Sequence, residues 1–274
     1  MFAKSSRVLR SRVGGVFVSL ALVAGLGGCA TPPSDPVARA EFEREKDPIE
    51  PLNRAIFAFN LQMDKMFLRP AAIVYREALP TPVQKGVNSF LSNLRSPVVF
   101  ANDLMQGELD RAGNTAGRFV INSTIGILGV WDAASEMGIH GHSEDFGQTF
   151  GTWGVGEGFY LVLPFLGPSN PRDTLGLAVE YYVDPFNLWA RRENVEGWIM
   201  ARSLATGIDF RARNLETLDE LERTSLDYYV AIRSLYRQRR ANEISNGKET
   251  SDQPAPGIST VPGPAKDDKS AELR

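Results

Sequence analysis

The chain holds a single cysteine, Cys29, and only two histidines, His140 and His142, in 274 residues. One cysteine excludes an intrachain disulfide, so the fold must rest on its own packing and polar contacts. His140 and His142 stand beside Glu144 and Asp145, yet no third strong ligand follows at a recognisable metal-binding spacing. No Gly-x-Ser-x-Gly elbow marks a nucleophile. Gly154-Val155-Gly156-Glu157-Gly158 lacks both the full dinucleotide spacing and a Walker lysine, so its glycines read as turn residues. Neither catalysis nor a bound metal is expected. Long apolar runs are missing as well. Past residue 28 the charge-free stretch of residues 119–131 is interrupted by Asn122, Ser123 and Thr124, and no stretch reaches the roughly 18 apolar residues of a membrane span. Any deeper contact with a membrane must then come from amphipathic helices.

The first 28 residues have the order of an export signal. Lys4, Arg7, Arg10 and Arg12 come without an acidic residue; residues 13–26 are apolar or small; Leu26-Gly27-Gly28 then leads to Cys29. The Leu-Gly-Gly-Cys box resembles the lipobox of bacterial lipoproteins. That resemblance implies that Cys29 receives a diacylglycerol and an N-acyl chain and becomes the mature N-terminus. No other cofactor is expected. More than one acyl chain gives durable anchoring. Ala30, in place of an aspartate, resembles the sorting signal of the outer membrane. Removing residues 1–28 removes four positive charges and no negative ones, taking the formal net charge from −3 to −7. Such an acidic chain is not expected to bind nucleic acid, whose phosphates require clustered Lys and Arg.

The remainder divides by composition. Residues 29–46 form a lipidated N-terminus and tether with Pro32, Pro33 and Pro36, residues 47–242 a helical domain, and residues 243–274 a polar tail. The tail has no aromatic residue and is expected to be disordered, because it cannot bury enough surface to offset its ordering entropy. Within the domain, helix starts are expected at Thr81-Pro82-Val83-Gln84, with Gln84 as a capping-box glutamine, and at Ser96-Pro97 and Asn170-Pro171, each a cap residue followed by proline. Leu52, Ile56, Phe59, Met63 and Phe67 keep helical spacing, as do Val83, Val87, Phe90, Leu91 and Leu94. Leu215, Leu218, Leu221, Leu226, Tyr229 and Tyr236 suggest one long C-terminal helix. Strand signals are scarce, and residues 159–163 carry the best of them. Residues 125–167 hold ten glycines among aromatic residues; loops and a hairpin-like turn are expected there. Arg54, Arg69, Arg76, Arg95, Arg111 and Arg118 recur along the early helices. They could meet lipid phosphates or pair with carboxylates at the surface, and composition does not separate the two.

A family resemblance then becomes specific. Asp47-Pro48-Ile49-Glu50-Pro51-Leu52-Asn53-Arg54, Phe57-Ala58-Phe59-Asn60 and Arg69-Pro70 resemble the opening of the MlaA (VacJ) family. So do Asn93-Leu94 with Pro97, Arg118-Phe119-Val120-Ile121-Asn122-Ser123-Thr124-Ile125-Gly126 and Gly129-Val130-Trp131-Asp132-Ala133-Ala134. Glu144-Asp145-Phe146-Gly147-Gln148-Thr149, Gly154-Val155-Gly156 and Leu161-Val162-Leu163-Pro164-Phe165-Leu166-Gly167-Pro168-Ser169, leading to Arg172-Asp173, are the most distinctive. One departure is Ser89-Phe90, where the family often shows Asn-Phe.

The resemblance implies a mainly α fold: a ring-like bundle of amphipathic helices embedded in one membrane leaflet, with a Gly/aromatic-rich loop and hairpin segment. It implies an outer-membrane lipoprotein that maintains lipid asymmetry. Mislocalised phospholipids would leave the outer leaflet through an amphipathic channel and pass to a soluble periplasmic phospholipid carrier. A trimeric outer-membrane porin is the further implied partner. Phe90, Leu161, Leu163, Pro164, Phe165, Leu166 and Gly167 are the candidate channel or gate residues. The alternative is an anchored structural lipoprotein that scaffolds envelope proteins without moving lipid; a scaffold should present a polar exterior.

Overall fold

The computed structural model describes residues 47–246, so Cys29, the tether and nearly all of the polar tail lie outside the described residues. Helices dominate. The first, α1 (Glu50–Met63), passes through a π-helical turn at Asp64–Leu68 into α2 (Arg69–Ala78). Pro70 explains the irregularity: it has no N–H to bond back one turn, and a wider turn ahead of it absorbs the mismatch. The helix α3 (Thr81–Gln106) then runs 26 residues and returns as α4 (Leu109–Thr124). Between them Gly107 takes the left-handed conformation (φ +78°), and the Glu108 N–H reaches the Asp103 carbonyl at 3.0 Å, which ends α3 sharply.

Two short helices follow, α5 (Ala133–Glu136) and α6 (Phe146–Thr152), and then a two-stranded antiparallel hairpin of β1 (Leu161–Leu163) and β2 (Gly167–Ser169). Leu161 faces Ser169 and Leu163 faces Gly167. The chain closes with α7 (Pro171–Val183), α8 (Pro185–Arg192), α9 (Gly197–Arg213), α10 (Leu215–Thr224) and α11 (Tyr228–Ile244).

Three local expectations need correction. Ser96-Pro97 does not start a helix: Pro97 lies inside α3, and the apolar spacing is continuous on both sides of it. Gln84 does not box the N-terminus of α3; its Nε2 donates to the Arg76 and Leu79 carbonyls and closes α2 instead. The long C-terminal helix is two helices, because Asp227 caps α11 through the Val230 N–H. By contrast, Asn170 caps α7 as expected, accepting the Asp173 N–H at 2.8 Å. The helix α11 also runs two residues beyond the expected boundary at 242, with Glu243 paired to Arg239 and Arg240.

The interior is polar and the exterior apolar. The largest fully buried side chains are Gln148, Glu144, Asn53, Asn102, Thr149, Asp103, Asp184, Asp209 and Ser169. Apolar packing is confined to small clusters such as Ala72, Ala212 and Leu215, or Tyr160, Val162 and Tyr229. Large apolar side chains stand outside along every long element, among them Met66, Phe67, Val74, Leu128, Tyr182, Trp198 and Met200. A chain folding in water does the reverse, since exposed apolar area costs free energy. No helix among the described residues is long and apolar enough to cross a membrane.

Buried polar groups are tolerated because they satisfy one another. Asp47 accepts from Asn53 at 2.7 Å, from Arg233 at 2.8 Å and from the Tyr229 hydroxyl, tying the start of the domain to α11. Arg240 joins Asp145 at 2.7 Å to Asp173 at 2.8 Å. There α6 and α7 cross so closely that a Cβ on Gly176 would lie 2.4 Å from the Gly147 nitrogen.

Asn53 and Asn60, two helical turns apart on α1, hold the hairpin. Asn53 donates to the Tyr160 carbonyl (2.9 Å) and accepts the Val162 N–H (2.9 Å). Asn60 repeats the pattern with the Leu163 carbonyl (2.9 Å) and the Phe165 N–H (2.8 Å). Each carboxamide acts as a neighbouring peptide would, so the free edge of β1 is sealed by a helix.

Candidate functional site

The helix α3 walls two cavities of opposite character. One face carries Val83, Val87, Phe90, Leu91 and Leu94 into an apolar cavity of about 860 Å³, closed on its far side by Phe186, Trp189, Trp198 and Ala205. The other face carries Asn88, Ser89, Ser92, Asn93, Arg95 and Ser96 into a polar cavity of about 510 Å³ shared with Thr115, Arg118, Asn122 and His142. Helical periodicity alone separates the sets, with residues 83, 87 and 90 about a fifth of a turn or more from 88, 92 and 95.

The rim between the cavities is the turn after α4. Ile127 and Leu128 both take left-handed backbone (φ +53° and +58°) and are 71% and 69% exposed. Such φ values are costly for a β-branched residue. Tight closure enforces them: Gly129 N–H meets the Asn122 carbonyl at 2.7 Å, and a Cβ on Gly129 would sit 2.4 Å from that of Asn93. Val130 of this turn lines the apolar cavity.

Across the polar cavity, Arg118 grips Asp132 (both oxygens at 3.0 Å), Ser135 (2.9 Å) and the Ile139 carbonyl. Burial pushes the Asp132 carboxyl up, but the hydrogen bonds of Ser135, Asn122 and Arg118 outweigh it and leave it below its ordinary value. Nearby, His142 Nε2 lies 2.7 Å from Asp103, and Asp103, His142 and Glu144 place ligand atoms within 4.8 Å of one another. Asp103 is the third metal-type ligand that sequence spacing misses; it sits 39 residues before His142. Arg111 bridges the two carboxylates, 2.5 Å from Glu144 and 3.8 Å from Asp103, while Thr115 and Gln106 take their other oxygens. A cation is already built into the cluster, so a metal ion there would have to displace Arg111.

Of the seven candidate channel or gate residues, only Phe90 lines either cavity. The hairpin lies elsewhere, on α1 and α11. Leu161 and Leu163 are half-buried; Pro164, Phe165 and Leu166 form the turn, and Phe165 and Leu166 are 74% and 70% exposed. Phe165 has φ +64° and packs its ring edge-on against Phe59 at 5.2 Å. Gly167 has φ +82° with open space around it.

Five of the six early arginines are committed. Arg54 is bound to Asp227 and Glu50 (both 2.7 Å), Arg69 to Asp219 (2.7 Å), Arg76 to Glu216, Arg111 to Glu144 and Arg118 to Asp132. Among the described residues, Arg95 has only the Glu180 carboxylate at 3.3 Å and the Glu144 carbonyl at 3.4 Å.

This arrangement meets a decisive comparison, since the sequence model of the MlaA lipoprotein family matches residues 45–243. The chain belongs to the MlaA lipoprotein family. It is 33% identical over 213 residues to the Haemophilus influenzae protein named intermembrane phospholipid transport system lipoprotein MlaA, covering 76% of this chain and 83% of that one. It is 31% identical over 246 residues to the protein of the same name from Escherichia coli, covering 88% and 93%. A Rickettsia prowazekii protein is 37% identical over 198 residues, covering 72% and 77%. A solved structure, described as a structural basis for maintenance of bacterial outer membrane lipid asymmetry, superposes with a TM-score of 0.64 at 31% identity, covering 72% of this chain and 98% of that one. The mainly α bundle expected from the family resemblance is therefore the observed fold. The MlaA motifs of this chain also gain physical reasons: Asp47 and Asn53 organise the first network, and Gly147 makes room for α7.

Proposed function

We propose that this MlaA-family chain is anchored in the outer membrane through acylated Cys29, with its apolar exterior in the inner leaflet, and removes mislocalised phospholipids from the outer leaflet. Cavities of opposite polarity on the two faces of α3 carry this reading. A phospholipid has a charged headgroup and long acyl chains, and moving one requires both surfaces close together. The apolar exterior supports a seat within lipid and speaks against a scaffold with a polar surface. The curated relatives named as phospholipid transport lipoproteins support the same role.

The finer steps belong to the same proposal. Lipid passes to a soluble periplasmic carrier, and a trimeric porin holds the protein in place. The exposed hairpin tip at Phe165 and Leu166 gates lipid entry from outside the cavities. Reconstituting the lipidated protein in vesicles and following phospholipid uptake by the carrier tests the reading. Ala205→Trp, which fills the apolar cavity, should reduce transfer several-fold at unchanged thermal stability. Equal transfer by both forms, or none above protein-free vesicles, would overturn it. A Cys29→Ser chain should be processed abnormally or fail to reach the outer membrane.

A further inference from the structure

The structure distinguishes one arginine from the other five of the early helices. We propose that Arg95 receives the phosphate of a lipid headgroup inside the polar cavity; the assignment rests on the transport reading above. Arg95 lines that cavity beside Ser89 and Ser92, whose hydroxyls are further donors for phosphate oxygens. Arg118 also lines it, but its guanidinium is taken up by Asp132, Ser135 and Ile139.

Arg95 is underused. Charge-assisted N–H···O bonds normally measure about 2.7–2.9 Å, whereas both contacts of Arg95 exceed 3.2 Å and both run through Nη2. Its Nε is buried without a hydrogen-bond partner among the described residues, as is that of Arg111, but Arg111 keeps a 2.5 Å contact with Glu144 and Arg95 has no contact that close. A buried donor left unpaired is costly and calls for an explanation. Nη1 makes no hydrogen bond among the described residues and the side chain is 38% exposed, so Nη1 and Nη2 form the end of a guanidinium that can grip two oxygens of one anion side by side. A phosphodiester supplies such a pair of non-bridging oxygens and stays ionised. Glu180, the competing anion, is the weaker acceptor, because burial and the nearby Asp145 and Asp184 charges push its carboxyl up.

The test uses the full-length lipidated protein in detergent with three probes: dihexanoyl phosphatidylglycerol, dihexanoylglycerol and inorganic phosphate. Binding is measured for the unmodified chain and for Arg95→Gln, Arg95→Lys and Arg76→Gln, with thermal midpoints recorded for each. Arg95→Gln should weaken phosphatidylglycerol about tenfold or more and leave dihexanoylglycerol unchanged. Arg95→Lys should fall between, since an ammonium keeps the charge and loses the fork. Arg76→Gln, outside both cavities, should match the unmodified chain. Inorganic phosphate should compete only weakly, because it lacks the acyl chains. Equal phosphatidylglycerol binding by Arg95→Gln would overturn the assignment, and so would equal losses for both lipids, which mark a merely structural role. Full displacement by inorganic phosphate would also overturn it in favour of a free-phosphate site. An unmodified chain that binds neither lipid would instead sink the transport reading itself.

Discussion

The backbone amide of Phe165 donates to Oδ1 of Asn60 at 2.8 Å, across 105 residues of sequence. The other end of the same carboxamide holds the Leu163 carbonyl, so one side chain spans the hairpin turn. The exposed, apolar tip is thus mounted on α1 rather than on its own short strands, which carry too few ladder bonds to be stable alone.

Removing that mount should loosen the tip selectively. Asn60→Ala is expected to lower stability by about 1–2 kcal/mol and to speed amide hydrogen exchange at Phe165. The Val162 amide, held by Asn53, should keep its protection. Exchange that rises equally at both amides, or at neither, would show that Asn60 does not clamp the turn.

The exposure of Phe165 separates a core role from a gating role. A buried Phe→Ala change costs about 3–5 kcal/mol. Phe165 is 74% exposed, so Phe165→Ala should leave protein abundance near normal while lipid transfer rises or falls. Gly167→Val should act differently, forcing a branched residue to φ +82° and destabilising the hairpin by about 1–2 kcal/mol. Abundance and transfer measured together for both variants check the point. Normal values of each for Phe165→Ala would remove the hairpin from the gate.

Acid should weaken the network between α6, α7 and α11. Burial pushes the Asp145 carboxyl up, yet Arg240 and the Gln148 N–H more than offset this and hold it at about 2. A carboxyl lowered on folding adds stability above its unfolded value of 3.8 and loses it as pH falls towards 2. The contribution is about 2 kcal/mol. Denaturation between pH 7 and pH 2.5 should show a steeper loss for the unmodified chain than for Asp145→Asn, which starts lower. Parallel curves would show that the pair is not coupled to folding.

Two glycines give opposite expectations for the same substitution. Gly176→Ala drives a Cβ to 2.4 Å from the Gly147 backbone and should cost about 1–3 kcal/mol or more. Gly113, inside α4 with nothing within 4 Å, should gain about 0.5–1 kcal/mol as Ala by narrowing the unfolded ensemble. Chemical denaturation midpoints suffice; a neutral Gly176→Ala would contradict the close crossing of α6 and α7.

Features encoded within a few residues could be read from the chain alone. The Asn170 cap needs only the N–H three residues on, and the two faces of α3 need only the spacing of Val83, Val87 and Phe90 against Asn88, Ser92 and Arg95. Sequence therefore determined the helical class, the amphipathic wall and the family. Local signals misled where a competing partner lay close in space: Gln84 carries the residue type of a capping box but spends its amide on α2, and Ser96-Pro97 resembles a start inside an unbroken apolar pattern. Tertiary structure alone decided which polar residues go inside. Asp47 meets Arg233 across 186 positions and Asp145 meets Arg240 across 95. It also decided which of the six early arginines lacks a close carboxylate. No window of sequence contains such pairs, because a charge is buried only when the whole fold brings its partner to it.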